Sequence, residues 1–361
     1  MPAPSSTPAP RAASRCAGSR TSRSSFRFRL EVRPARVGIL EPVSVEPSLS
    51  SLPELGTTFE RRLRSLLQSD VEFIQLIEDD LVTAGGKRIR PRLALLASRA
   101  LGGVPHEMEL ALAVELLHSA TLLHDDLVDD AETRRGREAA FRKYGNAVSV
   151  LSGDYLLSRV LFLLAETGRI ELVHLFAEAA RQLAEGEVLQ FQAAAYQEYS
   201  EAQYLRIIES KTAALMRAAT EGAALLAEAP EPMRAALADF GREYGLAFQM
   251  RDDYLDLMGS ADLLGKPVGG DVREGKVTLI TLWLLREEPD GVGDVLLRRG
   301  AGEGDVDYLR ELAQRTGVAA RVVEAIGKRV QAAVKALAAL PPSEARTSLE
   351  GLALAELERL Q

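Results

Sequence analysis

From about residue 55 to the end, apolar residues recur at the spacing of a helix and nowhere alternate with the period of a strand. Phe59, Leu63, Leu66 and Leu67 form one such face, and Leu110, Val114, Leu117, Thr121 and Leu122 another. Long stretches rich in Ala, Leu, Glu and Arg, all strong helix formers, occupy 154–166, 170–195, 201–228, 231–257 and 275–287. Gly102-Gly103-Val104-Pro105, Glu166-Thr167-Gly168 and Ala229-Pro230 punctuate them. The pattern predicts an all-α fold of ten or more helices in one domain over 55–361. Near its end it predicts a polar, Gly-rich loop at about 290–305 followed by two helices.

Residues 1–50 are different. The first 40 hold eight arginines against one acid, Glu31, and show no apolar periodicity. Three readings stay open: an Arg- and Ser-rich transit peptide, a disordered basic tail, or a non-native extension from a start codon placed too early. The single cysteine, Cys16, excludes an internal disulfide and a multi-cysteine metal site. With only four histidines, any metal is expected on carboxylates, which favours magnesium, or manganese, over zinc. A net charge of −8 argues against nucleic-acid binding through bulk positive charge. The longest apolar run, Tyr155–Ala165, is broken by Arg159, so no transmembrane segment is expected.

The strongest local signal is His124-Asp125-Asp126-Leu127-Val128-Asp129-Asp130. Asp125 and Asp129 lie one turn apart on one helical face, where like charges destabilise a bare helix. The spacing recurs in Asp252, Asp253 and Asp256, again closing an apolar run. One such cluster reads equally well as a solvated face. Two with identical spacing point to magnesium, which takes one or two carboxylates and fills its shell with water and substrate phosphate. Two facing helices of this kind would hold a diphosphate.

Cations occur beside these clusters. Gly85-Gly86-Lys87-Arg88-Ile89-Arg90-Pro91 precedes a helix expected to begin near Pro91. Arg134 and Arg135 follow the first cluster, and Lys266 follows the second. Lys211-Thr212 lies within a helix, and His118 stands seven residues before Asp125, near the same face.

These motifs resemble those of the trans-type polyprenyl diphosphate synthases over about 60–350. Gly85–Pro91 looks like that family's isopentenyl diphosphate motif. Asp125–Asp129 and Phe248–Asp256 look like its two aspartate-rich motifs. The resemblance implies the isoprenoid-synthase helical bundle around a deep apolar cavity, a cytoplasmic homodimer, and peripheral membrane contact, if any, only for product release. It implies a prenyltransferase joining isopentenyl diphosphate to an allylic diphosphate. Asp125, Asp126, Asp129, Asp252, Asp253 and Asp256 would belong to the magnesium motifs. Arg134, Lys211 and Lys266 would hold the allylic diphosphate, and Lys87, Arg90, His118 and Arg135 isopentenyl diphosphate. Gln249 and Thr212 would orient substrate or pyrophosphate.

Ala120 and Thr121 lie about one helical turn below Asp125, where bulky aromatics in the family close the cavity. A turn of helix is roughly one isoprene unit deep, so two small residues imply a long product, roughly C30–C50. A geranylgeranyl diphosphate synthase is the runner-up. A terpene cyclase, or a non-catalytic subunit of a heteromeric synthase, fits less well with two complete aspartate motifs.

Overall fold

The computed structural model describes residues 53–83, 86–128, 133–134, 137–260 and 267–360. The first 52 residues, Asp129, Arg135 and Lys266 lie outside them, so expectations for these positions are not addressed by the fold. The described residues belong to one compact unit, Val43–Gln361.

The chain opens with α1 (Pro53–Leu66), α2 (Glu72–Thr83), α3 (Ile89–Ala100) and α4 (Glu107–Val128). α4 is buried on every side from Leu110 to Leu117. A helix apolar all round belongs inside a bundle, and α4 accordingly packs on α3 and on α6 (Asn146–Glu166). Between them lie a two-stranded ribbon, β1 (Thr133–Arg134) and β2 (Arg137–Glu138), and the short α5 (Ala140–Tyr144). The ribbon pairs Thr133 with Glu138 and is the one departure from helix among the described elements.

α7 (Ile170–Tyr196) and α8 (Glu201–Ile208) follow, with Ser200 capping α8 by accepting from the Gln203 amide at 3.2 Å. The 201–228 stretch is not one regular helix. A π-helical turn, Glu209–Ala213, separates α8 from α9 (Ala214–Leu226). α9 is small-faced, with Ala218, Ala219, Ala223 and Ala224 buried, so α3, α7 and α10 (Glu231–Met258) all approach it closely. α10, at 28 residues, runs about 42 Å.

The C-terminal third comprises α11 (Gly270–Arg273), α12 (Leu279–Glu287), α13 (Pro289–Leu297), α14 (Asp305–Arg315), α15 (Val318–Ala336) and α16 (Glu344–Glu358). Thr278 and Thr281 form a reciprocal capping box at the start of α12. The expected loop near 290–305 is therefore only partly a loop, and three helices follow it rather than two. Pro289 pre-sets the first turn of α13, and Val292 and Val295 are buried where it packs on α12, which outweighs the low propensity of Gly291 and Gly293.

Against the expectation of no such segment, α6 is long and apolar enough to cross a membrane by length and composition, although Ser, Gly, Asp and Arg interrupt its apolar run. One face packs on α4, while Leu151, Leu161 and Phe162 stay exposed.

Candidate active site

α3 begins two residues before Pro91, at Ile89, and the residue before it explains why. Arg88 adopts a left-handed conformation (φ 48°) and turns its guanidinium inward. It donates to Glu115 of α4 at 2.5 Å and to Glu60 of α1 at 2.9 Å. This buried pair joins α1, α3 and α4. It removes Arg88 from any role in binding a ligand and leaves Lys87 and half-buried Arg90 at the start of α3.

The first acidic cluster closes α4. His118, Thr121 and Asp125 are half-buried, whereas Asp126 is buried. The Thr121 hydroxyl donates to the His118 carbonyl at 2.8 Å. Ala120 has no exposed surface and is core packing. His124 opens the acidic motif without a role of its own in the sequence pattern, and its ring lies against Gly153 of α6. A Cβ there would stand 2.7 Å from His124 Cδ2, so glycine is what admits the imidazole. His124 Nε2 lies 3.2 Å from the Val150 carbonyl, and the contact fixes the end of α4 on α6.

The second cluster closes α10 and is tied to the Lys-Thr segment by a polar relay. Thr212 Oγ1 donates to Gln249 Oε1 at 2.7 Å, and Gln249 Nε2 donates to Asp253 Oδ1 at 2.7 Å. Tyr204 of α8 donates its hydroxyl to Asp253 Oδ2 at 2.8 Å. Burial pushes the Asp253 carboxyl up to about 6, against the pull of those two hydrogen bonds. Asp256, also buried, accepts the Asp271 amide at 2.9 Å and so holds α11 against the end of α10. Asp252 alone of the three is exposed, and it pairs with Arg251. Partial burial, then Arg359 and Arg251, lower the pKa of the Lys87 ammonium, while Asp252 acts in the opposite sense. Lys87, Arg251 and Arg359 thus crowd one another beside Asp252.

Thr212, Gln249 and Asp253 are therefore brought together, with Tyr204 as a partner that no local spacing announces. Lys211 faces away from the relay, pairing with Glu187 and donating to Gln190 at 3.1 Å, both on α7. Arg134 falls within β1.

The π-helical turn makes this division possible. Two glycines clasp it. A Cβ at Gly186 of α7 would meet Ser210 Cβ at 2.6 Å, and one at Gly245 of α10 would meet Ala213 Cα at 2.5 Å. The extra residue in the turn directs Lys211 to α7 and Thr212 to α10. Because Gly245 meets backbone rather than a flexible side chain, Gly245→Ala is expected to cost about 1–3 kcal/mol. Urea unfolding measures this, and an unchanged midpoint would show that α10 has room to retreat.

The donors offered by both clusters are oxygen. Among the described residues no three His, Cys, Asp or Glu side chains converge to hold a metal ion unaided. Carboxylate oxygens are the donors that suit a magnesium-like ion whose shell is completed by phosphate and water.

Residues 71–313 match the polyprenyl synthetase family. The chain is 39% identical to the all-trans-nonaprenyl-diphosphate synthase (geranyl-diphosphate specific) of Rhodobacter capsulatus, over 82% of this chain and 92% of the relative. It is 39% identical to the octaprenyl diphosphate synthase of Haemophilus influenzae, over 81% of this chain and 90% of the relative. Among solved structures it resembles a polyprenyl synthase from Caulobacter crescentus CB15 complexed with calcium and isoprenyl diphosphate. There the TM-score is 0.82 and the identity 38%, over 90% of this chain and 100% of the other.

Proposed function

Because the chain belongs to the polyprenyl synthetase family, we propose that it is a trans-prenyltransferase that condenses isopentenyl diphosphate onto an allylic diphosphate to give a long all-trans polyprenyl diphosphate. The observation that carries the reading is the arrangement at the end of α10. Asp253 is fixed from two sides by Gln249 and Tyr204, while Asp252 stays exposed beside crowded cations. A diphosphate and its metal ions supply the charge that such a site lacks.

Divalent metal is general to the family, and magnesium is the ion we assign, with manganese as a substitute. When bound, it supplies Lewis-acid and electrostatic stabilisation of charge developing on the departing pyrophosphate. Asp125 and Asp126 from the end of α4, with Asp129 of the same sequence motif, and Asp252, Asp253 and Asp256 from α10, would present the carboxylates. Lys211, Lys266 and Arg134 hold the allylic diphosphate. Lys87, Arg90, His118 and Arg135 hold isopentenyl diphosphate, with its double bond facing the allylic C1. The allylic C1–O bond breaks, the double bond of isopentenyl diphosphate forms the new C–C bond, and its C2 proton passes to pyrophosphate. Gln249, held by Thr212, orients the leaving group. No protein nucleophile is needed, and the apolar helices exclude the water that would quench a carbocation.

We assign the exposed apolar residues of α6 and α7, Leu151, Phe162, Val188 and Phe191 among them, to a homodimer contact. The domain that does the chemistry is assigned to 55–361. A chain beginning at Leu52 is expected to turn over at the full-length rate, because residues 1–50 lack the apolar content to pack. Lost solubility or activity would assign the N-terminal segment a part in folding. The reading itself is tested by incubating the purified chain with an allylic primer, isopentenyl diphosphate and magnesium. Chain elongation supports it, and cyclised product or no turnover overturns it.

A further inference from the structure

We propose that Glu356, on the C-terminal helix α16, is a positioning residue for the second aspartate cluster, acting through Arg251. Its carboxylate has no exposed surface. One oxygen accepts from the hydroxyl of buried Tyr244 at 2.9 Å, and the other pairs with Arg251 Nη1. Arg251 Nε donates to Asp252 Oδ1 at 3.1 Å, and its Nη2 pairs with the same oxygen. The guanidinium carbon lies 4.5 Å from the centre of the Phe248 ring. Arg251 is thus a fork with one side on a buried acid and the other on an exposed one.

Adjacent residues on a helix do not face each other. Arg251 reaches Asp252 because its far end is directed by Glu356 and its plane rests on Phe248. The buried acid also shares the charge of Arg251. Asp252 is held in one orientation but not fully neutralised, and it remains able to ligate a metal ion. A glutamate taken wholly out of water is costly unless paired, and here Tyr244 and Arg251 together supply the partners. The helix that carries it ends beside Arg359, which acts on Lys87.

The inference rests on the proposed metal role of Asp252. Its test is manganese binding to the full-length chain in the presence of inorganic pyrophosphate, followed by the EPR signal of free manganese, with thermal midpoints measured in parallel. In Glu356→Gln, Arg251 loses its buried counter-charge and turns wholly to Asp252. Manganese affinity is expected to fall roughly 10-fold, as for other outer partners of metal ligands. In Arg251→Met/Glu356→Leu the competing cation is gone and the buried pair is replaced by apolar groups of similar size. Manganese affinity is expected to rise above that of Glu356→Gln, because the competing cation is gone, yet to stay below wild type, because nothing then holds Asp252, while the thermal midpoint falls as the Tyr244 hydroxyl loses its acceptor. Glu356→Asp keeps the buried charge and so folds if Glu356→Gln does not. Its shorter reach should weaken binding in the same direction by a smaller factor. Wild-type affinity in whichever single variant folds, or a double variant as weak as Glu356→Gln, overturns the proposal. Failure of the unmodified chain to bind manganese with pyrophosphate would instead overturn the metal role of Asp252.

Discussion

Asp125→Ala and Asp252→Ala are each expected to lower turnover by roughly two to three orders of magnitude while the protein stays folded. Asp125 is half-buried at the end of α4, and Asp252 is exposed at the end of α10. Alanine at either place removes a clustered like charge and raises helix propensity, so neither fold nor helix should suffer. The neighbouring carboxylates behave differently. Asp253→Ala strands the buried Tyr204 hydroxyl and frees Gln249, which costs about 1–3 kcal/mol in addition to activity. Chelator should abolish turnover of the unmodified chain, and magnesium or manganese should restore it. Steady-state assay and thermal denaturation of the same preparations separate the two classes. Near-wild-type turnover in both Asp125→Ala and Asp252→Ala would sink the metal-cluster reading.

Product length is the second large effect. Thr121 stands one turn below Asp125 and is half-buried, with its hydroxyl turned back to the His118 carbonyl. Phenylalanine there adds bulk on the face that leads down from the metals, and Thr121→Phe is expected to shorten the product to about C20 or less. Ionisation of the allylic substrate should continue, because no diphosphate or metal residue is touched. The sequence grouped Ala120 with Thr121, but the structure separates them. Ala120 is fully enclosed, so Ala120→Phe overpacks the core and is expected to cost about 1–3 kcal/mol before it can act on product length. Reverse-phase chromatography of dephosphorylated products reads the first effect, and urea unfolding reads the second. An unchanged product distribution in Thr121→Phe would remove Thr121 as a determinant of product length.

The helices of this fold could be read from the sequence wherever periodicity was long. The stretch proposed at 170–195 is α7, and 231–257 is α10, each within a residue at either end. Reading failed where a helix is made by its neighbours. α13 carries Pro and two glycines and is held by Val292 and Val295 against α12. The π-helical turn was invisible because Ser210, Lys211 and Thr212 continue a helical pattern without a break. Candidate site residues with repeated acidic spacing, or in glycine-flanked basic groups, stand out in the sequence. Their partners do not. Tyr204 lies 49 residues from Asp253, and Glu356 lies 105 residues from Arg251. Neither sits in a local pattern, and only packing brings them into reach. Arg88 shows the converse, a basic residue inside a recognisable motif whose charge is spent on Glu115 and Glu60.

The clasped turn between α8 and α9 also separates what the scaffold needs from what the site needs. A π turn holds one residue more than an α turn in about the same rotation, so removing one residue from Glu209–Ala213 would leave a continuous α-helix with its two flanks close to their present phase. Tyr204 would keep its place beside Asp253, and the alanine face of α9 its packing on α3. What the deletion would take away is the turn that sends Lys211 to α7 and its neighbour Thr212 to α10. The extra residue belongs to the site and not to the fold.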